Sequence, residues 1–417
     1  MMILVNIILN SEFAFSEGEC MARGNQNIND QLFRTRGRNA AESRESQEEI
    51  RRRQIRSWII LVSVALAVVL GIHFLGRYGK GKEISMSKLP CYANQNVTPF
   101  RDGLVYYDGV SIHHLSSSGT IRWSFPAGSD VKFTVGPTHM AIWSGTQFFL
   151  VDKNGNATYN ESMEAKVQLA RVGERYAAVV VGENDTEPKL IVKDLKGAQV
   201  DQEQDAYNGL MILDAGFYGE QGEYLWTLAL DVFGTAPNTV MNTFQVGKMN
   251  YREVSLGESL TYKVIYENAR LRVFTTQQVY TYDYKGTQDT NSTMLVYGWK
   301  LIDADIPERG RAKLLLAPTS QTSSAQLISE LRVLEGMNDK RYTLPTTCVG
   351  ASIHKGNIYA ISEDYIYRAD MSSQRFFGYQ IPAPEGVKIT AFYGITDDGR
   401  MLMASGETMY SLTLPER

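Results

Sequence analysis

The chain has 417 residues, with 42 Lys and Arg against 46 Asp and Glu, 43% apolar residues, 23 Tyr and three Cys. No compositional skew marks a collagen, a disordered polyelectrolyte or a disulfide-stapled miniprotein, and one or two globular domains fit the length. A net charge of −4 argues against a general nucleic-acid binder, because displacing counterions from phosphate needs a dense basic surface.

In chain order, the apolar run Met1 to Leu9 is interrupted by Asn6 and followed by acidic residues. Lacking a basic leading region, it reads poorly as a signal peptide, and Met21 is an alternative start. Residues 39–56 are strong helix formers with Glu48/Arg52 and Glu49/Arg53 four positions apart, which predicts a helix running on into the next segment. From Ser57 to Gly76, SWIILVSVALAVVLGIHFLG, there is no Asp, Glu, Lys or Arg. At about 1.5 Å per residue this length crosses a hydrocarbon core of about 30 Å, so one transmembrane helix is expected over 58–76, with a buried core helix as the alternative. Trp58 and His73 then sit near the two interfaces. Arg38, Arg44, Arg51, Arg52, Arg53 and Arg56 precede the span, whereas Arg77, Lys80, Lys82 and Lys88 follow it. That bias predicts a cytoplasmic tail over 1–57 and an extracytoplasmic remainder at the cell membrane.

Beyond the span, short runs rich in Val, Ile, Tyr and Phe alternate with Gly, Asn and Asp, which predicts an all-β domain over 96–417. Such runs include 103–109, 139–145, 175–182, 223–230, 270–276, 357–364 and 400–406. Several lead to a second strand that ends in a polar turn, at Ser116 to Gly119, Asp152 to Gly155, Asp194 to Gly197 and Asp283 to Gly286. Ser or Asp opens such a turn by bonding the backbone, and Gly closes it in the left-handed region. First strands are expected near 97, 130, 167, 210, 261, 296, 347 and 388, an average interval of about 40 residues, which is the size of a four-stranded propeller blade. The expected fold is therefore all-β, a β-propeller of eight blades preceded by one transmembrane α-helix. Seven blades, or a pair of β-sandwiches, are the alternatives. The last unit ends after Pro415 with three strands, and a ring cannot leave its edges raw. Residues 77–95 form a linker in which Lys82 to Leu89 is the candidate ring-closing strand.

Gly103-Leu-Val-Tyr-Tyr-Asp-Gly109 followed by Ser116-Ser-Ser-Gly119-Thr-Ile-Arg-Trp123 resembles a blade of the pyrroloquinoline-quinone-like propellers, in which a Gly stands four residues before a docking Trp. That group includes quinoprotein dehydrogenases and the propeller that scaffolds outer-membrane protein assembly. The whole layout is similar to uncharacterised single-pass, membrane-anchored β-propeller proteins of Gram-positive, clostridia-like bacteria. At the docking position Trp123 has Tyr159, Asp201 and Thr290 as counterparts, so no repeated Trp girdle is expected. No adjacent Cys pair occurs either. Both departures weigh against a bound quinone, and no cofactor is expected.

Signatures of the nucleophile elbow, zinc helix and phosphate loop are missing from the sequence. His113 and His114 are adjacent on a strand and point to opposite faces; His139 and His354 stand alone. Asp152, Asn154 and Asn156 alternate like calcium ligands but lack the closing acid, so a hairpin turn is the preferred reading. Asp303, Asp305 and Glu308, and Asp397 with Asp398, are placed in loops as solvated charge. Cys91 and Cys348 are the thiols beyond the span, and whether they pair is left open. Five N-x-S/T sequons, at Asn96, Asn156, Asn160, Asn184 and Asn291, would matter only in a eukaryotic secretory host. Trp123, Trp143, Trp226 and the strand tyrosines are assigned to packing between blades.

No catalytic, cofactor-binding or metal-binding residue is therefore assigned. The expected function is that of a non-enzymatic envelope scaffold or sensor that binds a protein or other surface ligand through its propeller face. The alternative is a quinoprotein-like oxidoreductase or hydrolase with a site at the axial end of the ring.

Overall fold

The computed structural model describes residues 55, 58–68, 84–248, 251–257, 260–307, 310–319 and 327–416. The chain divides into two units, Met1–Lys80 and Gly81–Arg417. In the first, residues 58–68 are helical and exposed. The rest of the span expected over 58–76, including His73, lies outside the described residues, as do Cys20 and nearly all of the tail. Among the described residues no helix is long and apolar enough to cross a membrane.

The second unit is built from eight four-stranded antiparallel sheets, each a blade. Their innermost strands are Thr98–Phe100, Lys132–Val135, Val167–Val172, Leu210–Tyr218, Thr261–Glu267, Trp299–Asp305, Gly350–His354 and Ala391–Ile395. Each begins at or just after its predicted start, and the count is eight. Within a blade the second strand is a nearly continuous buried run, as in Tyr176–Val181, rather than an alternating one. A sheet covered on both faces gives that pattern, because neither side-chain direction leads to water.

The covering comes from the neighbouring blades. Eight apolar clusters each join two consecutive blades, for example Phe100, Val105 and Ile112 of blade 1 with Met140, Ile142 and Val151 of blade 2. The series returns to its start: Leu402, Ala404 and Met409 of blade 8 pack on Leu104, Tyr106 and Leu115 of blade 1. The sheets therefore form a closed ring, not a pair of sandwiches.

Blade 8 is completed from the other end of the chain. Its outermost strand is Met86–Tyr92, paired with Thr408–Thr413 through Met86↔Leu412, Ser87↔Ser411 and Lys88↔Tyr410. The closing strand thus begins four residues later than the expected Lys82. Its burial alternates, and Leu89 and Cys91 enter the cluster between blades 8 and 1.

The outer strands lock the ring a second time. Trp123, on the outer strand of blade 1, lies across Gly155 in the turn of blade 2 and donates its indole N–H to the Lys153 carbonyl at 2.9 Å. Tyr159 of blade 2 covers Gly197 of blade 3. Asp201 of blade 3 accepts the Gly247 N–H of blade 4 at 2.6 Å. Val254 of blade 4 lies against Gly286 of blade 5, Tyr342 of blade 6 donates to the Met371 carbonyl of blade 7 at 2.9 Å, and Leu89 and Pro90 of blade 8 lie against Gly119 of blade 1. The Trp is not repeated, but the contact it makes recurs, filled by an indole, a phenol, a carboxylate or an aliphatic group. What is kept is the contact with the next turn, not the residue type. Thr290, the third counterpart, falls instead in a short 3₁₀ turn, Thr290–Ser292.

Gly197 shows how tight the lock is. Its φ is +92°, and a Cβ there would lie 1.8 Å from the Tyr159 ring. Gly197→Ala is expected to cost roughly 2 kcal/mol or more of stability in denaturant unfolding. A loss below about 0.5 kcal/mol, the scale of an ordinary surface substitution, would show that the tyrosine does not clamp this turn.

Candidate functional site

Inner strands of propeller blades face the central axis, and here several carry an extra residue that re-aims their side chains. The register shifts between Leu301 and Asp303 in blade 6 and between Phe392 and Gly394 in blade 8. Between these strands lies a cavity of about 700 Å³ at the end of the ring that carries the turns between first and second strands. Asp303, Asp305, His354, Lys355 and Asp397 line it, together with Pro99, Phe392 and Tyr393.

These carboxylates were expected to be solvated in loops. Asp303 and Asp305 instead belong to the inner strand of blade 6. Asp303 Oδ2 accepts the Ile353 N–H at 2.9 Å and the Ser352 hydroxyl, while Oδ1 accepts the Ala304 N–H at 2.8 Å. Asp305 accepts the Gly356 N–H at 3.2 Å. Both therefore spend acceptor capacity on tying blade 6 to blade 7. His354, expected to be isolated, joins them in the cavity. Burial and the adjacent Lys355 hold its pKa below the ordinary histidine value, against the opposing pull of Asp305, Asp397 and Asp303. Asp397 lines the cavity, but Asp398 turns away and accepts the Ser117 hydroxyl of blade 1 at 2.5 Å. Glu308 lies outside the described residues. Among the described residues, no group of three His, Cys, Asp or Glu could hold a metal ion.

A second cavity, of about 740 Å³, abuts the first across Ile302, Asp303 and Ala304. Phe217, Trp226, Tyr262 and Tyr266 make one side of it, and Lys263 and Lys300 also line it. The axial region thus carries its carboxylates on blades 6 and 8, and aromatic side chains with two lysines on blades 4 to 6.

At the opposite end of the ring, the connection from blade 5 to blade 6 forms a groove of about 400 Å³ with Tyr262, Tyr297 and Trp299 in its wall. Sequence reasoning missed this feature. Its only signal was Tyr-Gly-Trp at residues 297–299, where the connection from blade 1 to blade 2 has Ala-Gly-Ser-Asp at 127–130.

The remaining candidates serve the fold. Asp152 Oδ1 accepts the N–H groups of Asn154 and Asn156, at 2.8 and 2.9 Å, so the calcium-like triplet is a hairpin turn. Trp143 and Trp226 are buried in the clusters between blades 2 and 3 and between blades 4 and 5. His139 bonds Thr138. Cys91 and Cys348 are free and lie in different clusters, and burial pushes each thiol up to about 12.

His113 and His114 do point apart. His113 bonds Ser124 and Asp108, whereas His114 is buried between the rings of Phe100 and Trp123.

No family model matches the chain, and no curated protein matches it. Solved structures similar to it include BamB from Moraxella catarrhalis, at 12% identity over 81% of this chain and 99% of that one, with a TM-score of 0.46. Apo AztD from Citrobacter koseri is 13% identical over 69% of this chain and 86% of that one, with a TM-score of 0.45. The WD40 domain of Neurospora crassa Pan2 is 8% identical over 69% and 89%, with a TM-score of 0.44. The assignment of the fold rests on the eight sheets and their closure.

The environment of His114 makes stability depend on pH. Burial, with a smaller contribution from Arg122, lowers its pKa from 6.5 to about 4. In that interval the unfolded chain binds a proton that the native chain refuses, so this stability is present above the unfolded value and is lost as pH falls from 6.5 toward 4. Between pH 7 and 5 the loss should be roughly 1–2 kcal/mol, read from denaturant midpoints. His114→Leu should remove that component, and parallel pH profiles for the two proteins would refute the assignment.

Proposed function

We propose that the chain is a non-enzymatic, membrane-anchored scaffold or sensor of the cell envelope, whose propeller binds a protein through the loop face over blades 4 to 6. The observation that carries this reading is the concentration of apolar side chains there. Phe233 and Tyr297 are 73% and 72% exposed, and Leu260, Leu295 and Leu327 are exposed with them. A soluble surface does not normally gather such residues around an aromatic groove, and aromatic anchors set beside pockets dominate protein recognition.

The loops that bear Leu260, Leu295 and Tyr297 are tied together by backbone bonds. Thr276 donates to Leu260 at 3.2 Å, Val296 to Gln277 at 2.7 Å and Thr319 to Gly298 at 2.8 Å. A surface held in this way loses little conformational entropy on binding. The uncharged stretch from Ser57 to Gly76 and the arginine bias before it support single-pass anchoring with the propeller outside the cytoplasm.

A second reading, an oxidoreductase or hydrolase acting at the axial end, is supported by the convergence of Asp303, Asp305, Asp397 and His354 on one cavity. Paired acids and a histidine are the groups that proton-transfer chemistry uses. The backbone bonds that already occupy Asp303 and Asp305 favour the binding reading.

A photo-cross-linking side chain placed at position 297 of the full chain tests the proposal in native membranes. It should capture one envelope protein from the membrane fraction, and the same probe at Ile121, on the other end of the ring, should not. Replacing Phe233 and Leu295 by Ser should reduce capture about tenfold, the effect of losing contacts worth about 1.4 kcal/mol. Equal adducts from both positions, none from position 297, or absence of the chain from the membrane fraction would overturn the proposal.

A further inference from the structure

The junction of blades 5 and 6 departs from the lock described above. The outermost strand of blade 5 is only Met294–Leu295, whereas the other outer strands run from four to eleven residues. It is too short to reach the turn of blade 6, which contains Gly336. Arg272, from the second strand of blade 5, makes that contact instead by donating to the Gly336 carbonyl at 3.0 Å. The space the missing strand leaves is a cavity of about 400 Å³.

Three guanidinium groups line this cavity, those of Arg270, Arg272 and Arg311. Arg272 has a side chain only 5% exposed. Its Nε donates to Glu267 at 2.6 Å, and its terminal nitrogens donate to Thr281 at 2.8 Å and to Gly336. A guanidinium carries five N–H donors, so two of them have no acceptor among the described residues. Glu267 accepts only the Nε bond from Arg272, and its other oxygen accepts the Ala312 N–H at 2.8 Å. Arg270 pairs with Asp289 at 3.0 Å, its side chain half exposed. Arg311 lies across Gly336 and has no carboxylate partner among the described residues. Among the described residues, two carboxylates therefore balance three guanidinium groups around a cavity that Arg272, with two N–H groups unpaired, helps to line.

We propose that this cavity is a binding site for an oxyanion, a phosphate or carboxylate group, held by the spare N–H groups of Arg272 and by Arg311. The chemistry is the charge-assisted, forked recognition that arginine supplies and lysine does not. The site stands apart from both the axial cavities and the aromatic loop face, so it does not depend on the protein-binding proposal.

Calorimetric titration of the full chain with inorganic phosphate, with acetate and with chloride at matched ionic strength tests the site. Saturable heat is expected from phosphate or acetate and none from chloride. Phosphate alone would identify a tetrahedral ligand, and acetate binding at least as tightly would identify a carboxylate. Arg311→Gln should weaken binding about tenfold, and Arg311→Lys should not restore it, because an ammonium cannot make the forked contact. Arg311 is exposed, so the melting temperatures of these variants without ligand should match that of the parent. No saturable heat from either oxyanion, or the same affinity in Arg311→Gln as in the parent, would overturn the proposal.

Discussion

Each blade buries both of its faces against other blades, and none has a core of its own. That constraint governs the rest of the structure. A row of such sheets would end in two bare apolar faces, and the ring removes them only by bringing blade 8 against blade 1. The contact is made by Leu402, Ala404 and Met409 on one side and Leu104, Tyr106 and Leu115 on the other. Met86–Tyr92 then covers the edge of Thr408–Thr413 and inserts Leu89 into the same cluster. Burying one leucine contributes about 2 kcal/mol, but the larger effect is topological: the two ends of the domain share a blade, so opening the ring requires parting a sheet.

The outer contacts extend this constraint to the turns. A side chain on one blade rests on the backbone of the next, and the next turn needs a glycine or a small residue to receive it. These contacts tie consecutive blades together at the outer side of the ring. Between blades 5 and 6 the outer strand is only Met294–Leu295, and there the buried pair of Glu267 and Arg272 bonds to blade 6. Such a pair is weak evidence of stabilisation, because the desolvation of two charges can exceed their mutual attraction.

Much of the architecture was legible in the sequence because its signals are local. Asp-x-x-Gly turns at 152–155, 194–197 and 283–286 state their own geometry, and Asp370 opens an equivalent turn without the final glycine, accepting the Ser372 N–H. Continuous apolar runs announce strands covered on both sides. The closing strand was misplaced by a few residues because register is set by its partner, Thr408–Thr413, more than three hundred positions away. The sequence shows that the Trp is not repeated but not that its contact is, because the structure keeps the contact and lets residue type vary from Trp123 to Asp201. Asp303 was assigned to a loop because no local pattern marks the extra residue beside Leu301. Its meeting with His354 and Asp397 is a property of the ring and of no single stretch. Tyr297 and Arg311 escaped notice for the same reason, since each becomes a candidate only through what lies across a blade junction.

Hydrogen exchange of the native chain tests ring closure most directly, because it reads the protection of each segment separately. Amides in residues 86–92 should exchange as slowly as those of the outer strand Ile121–Pro126, and far more slowly than the loop at 232–237. Rapid exchange of 86–92, with the second strands of all eight blades still protected, would contradict a ring held shut by its own N-terminal strand.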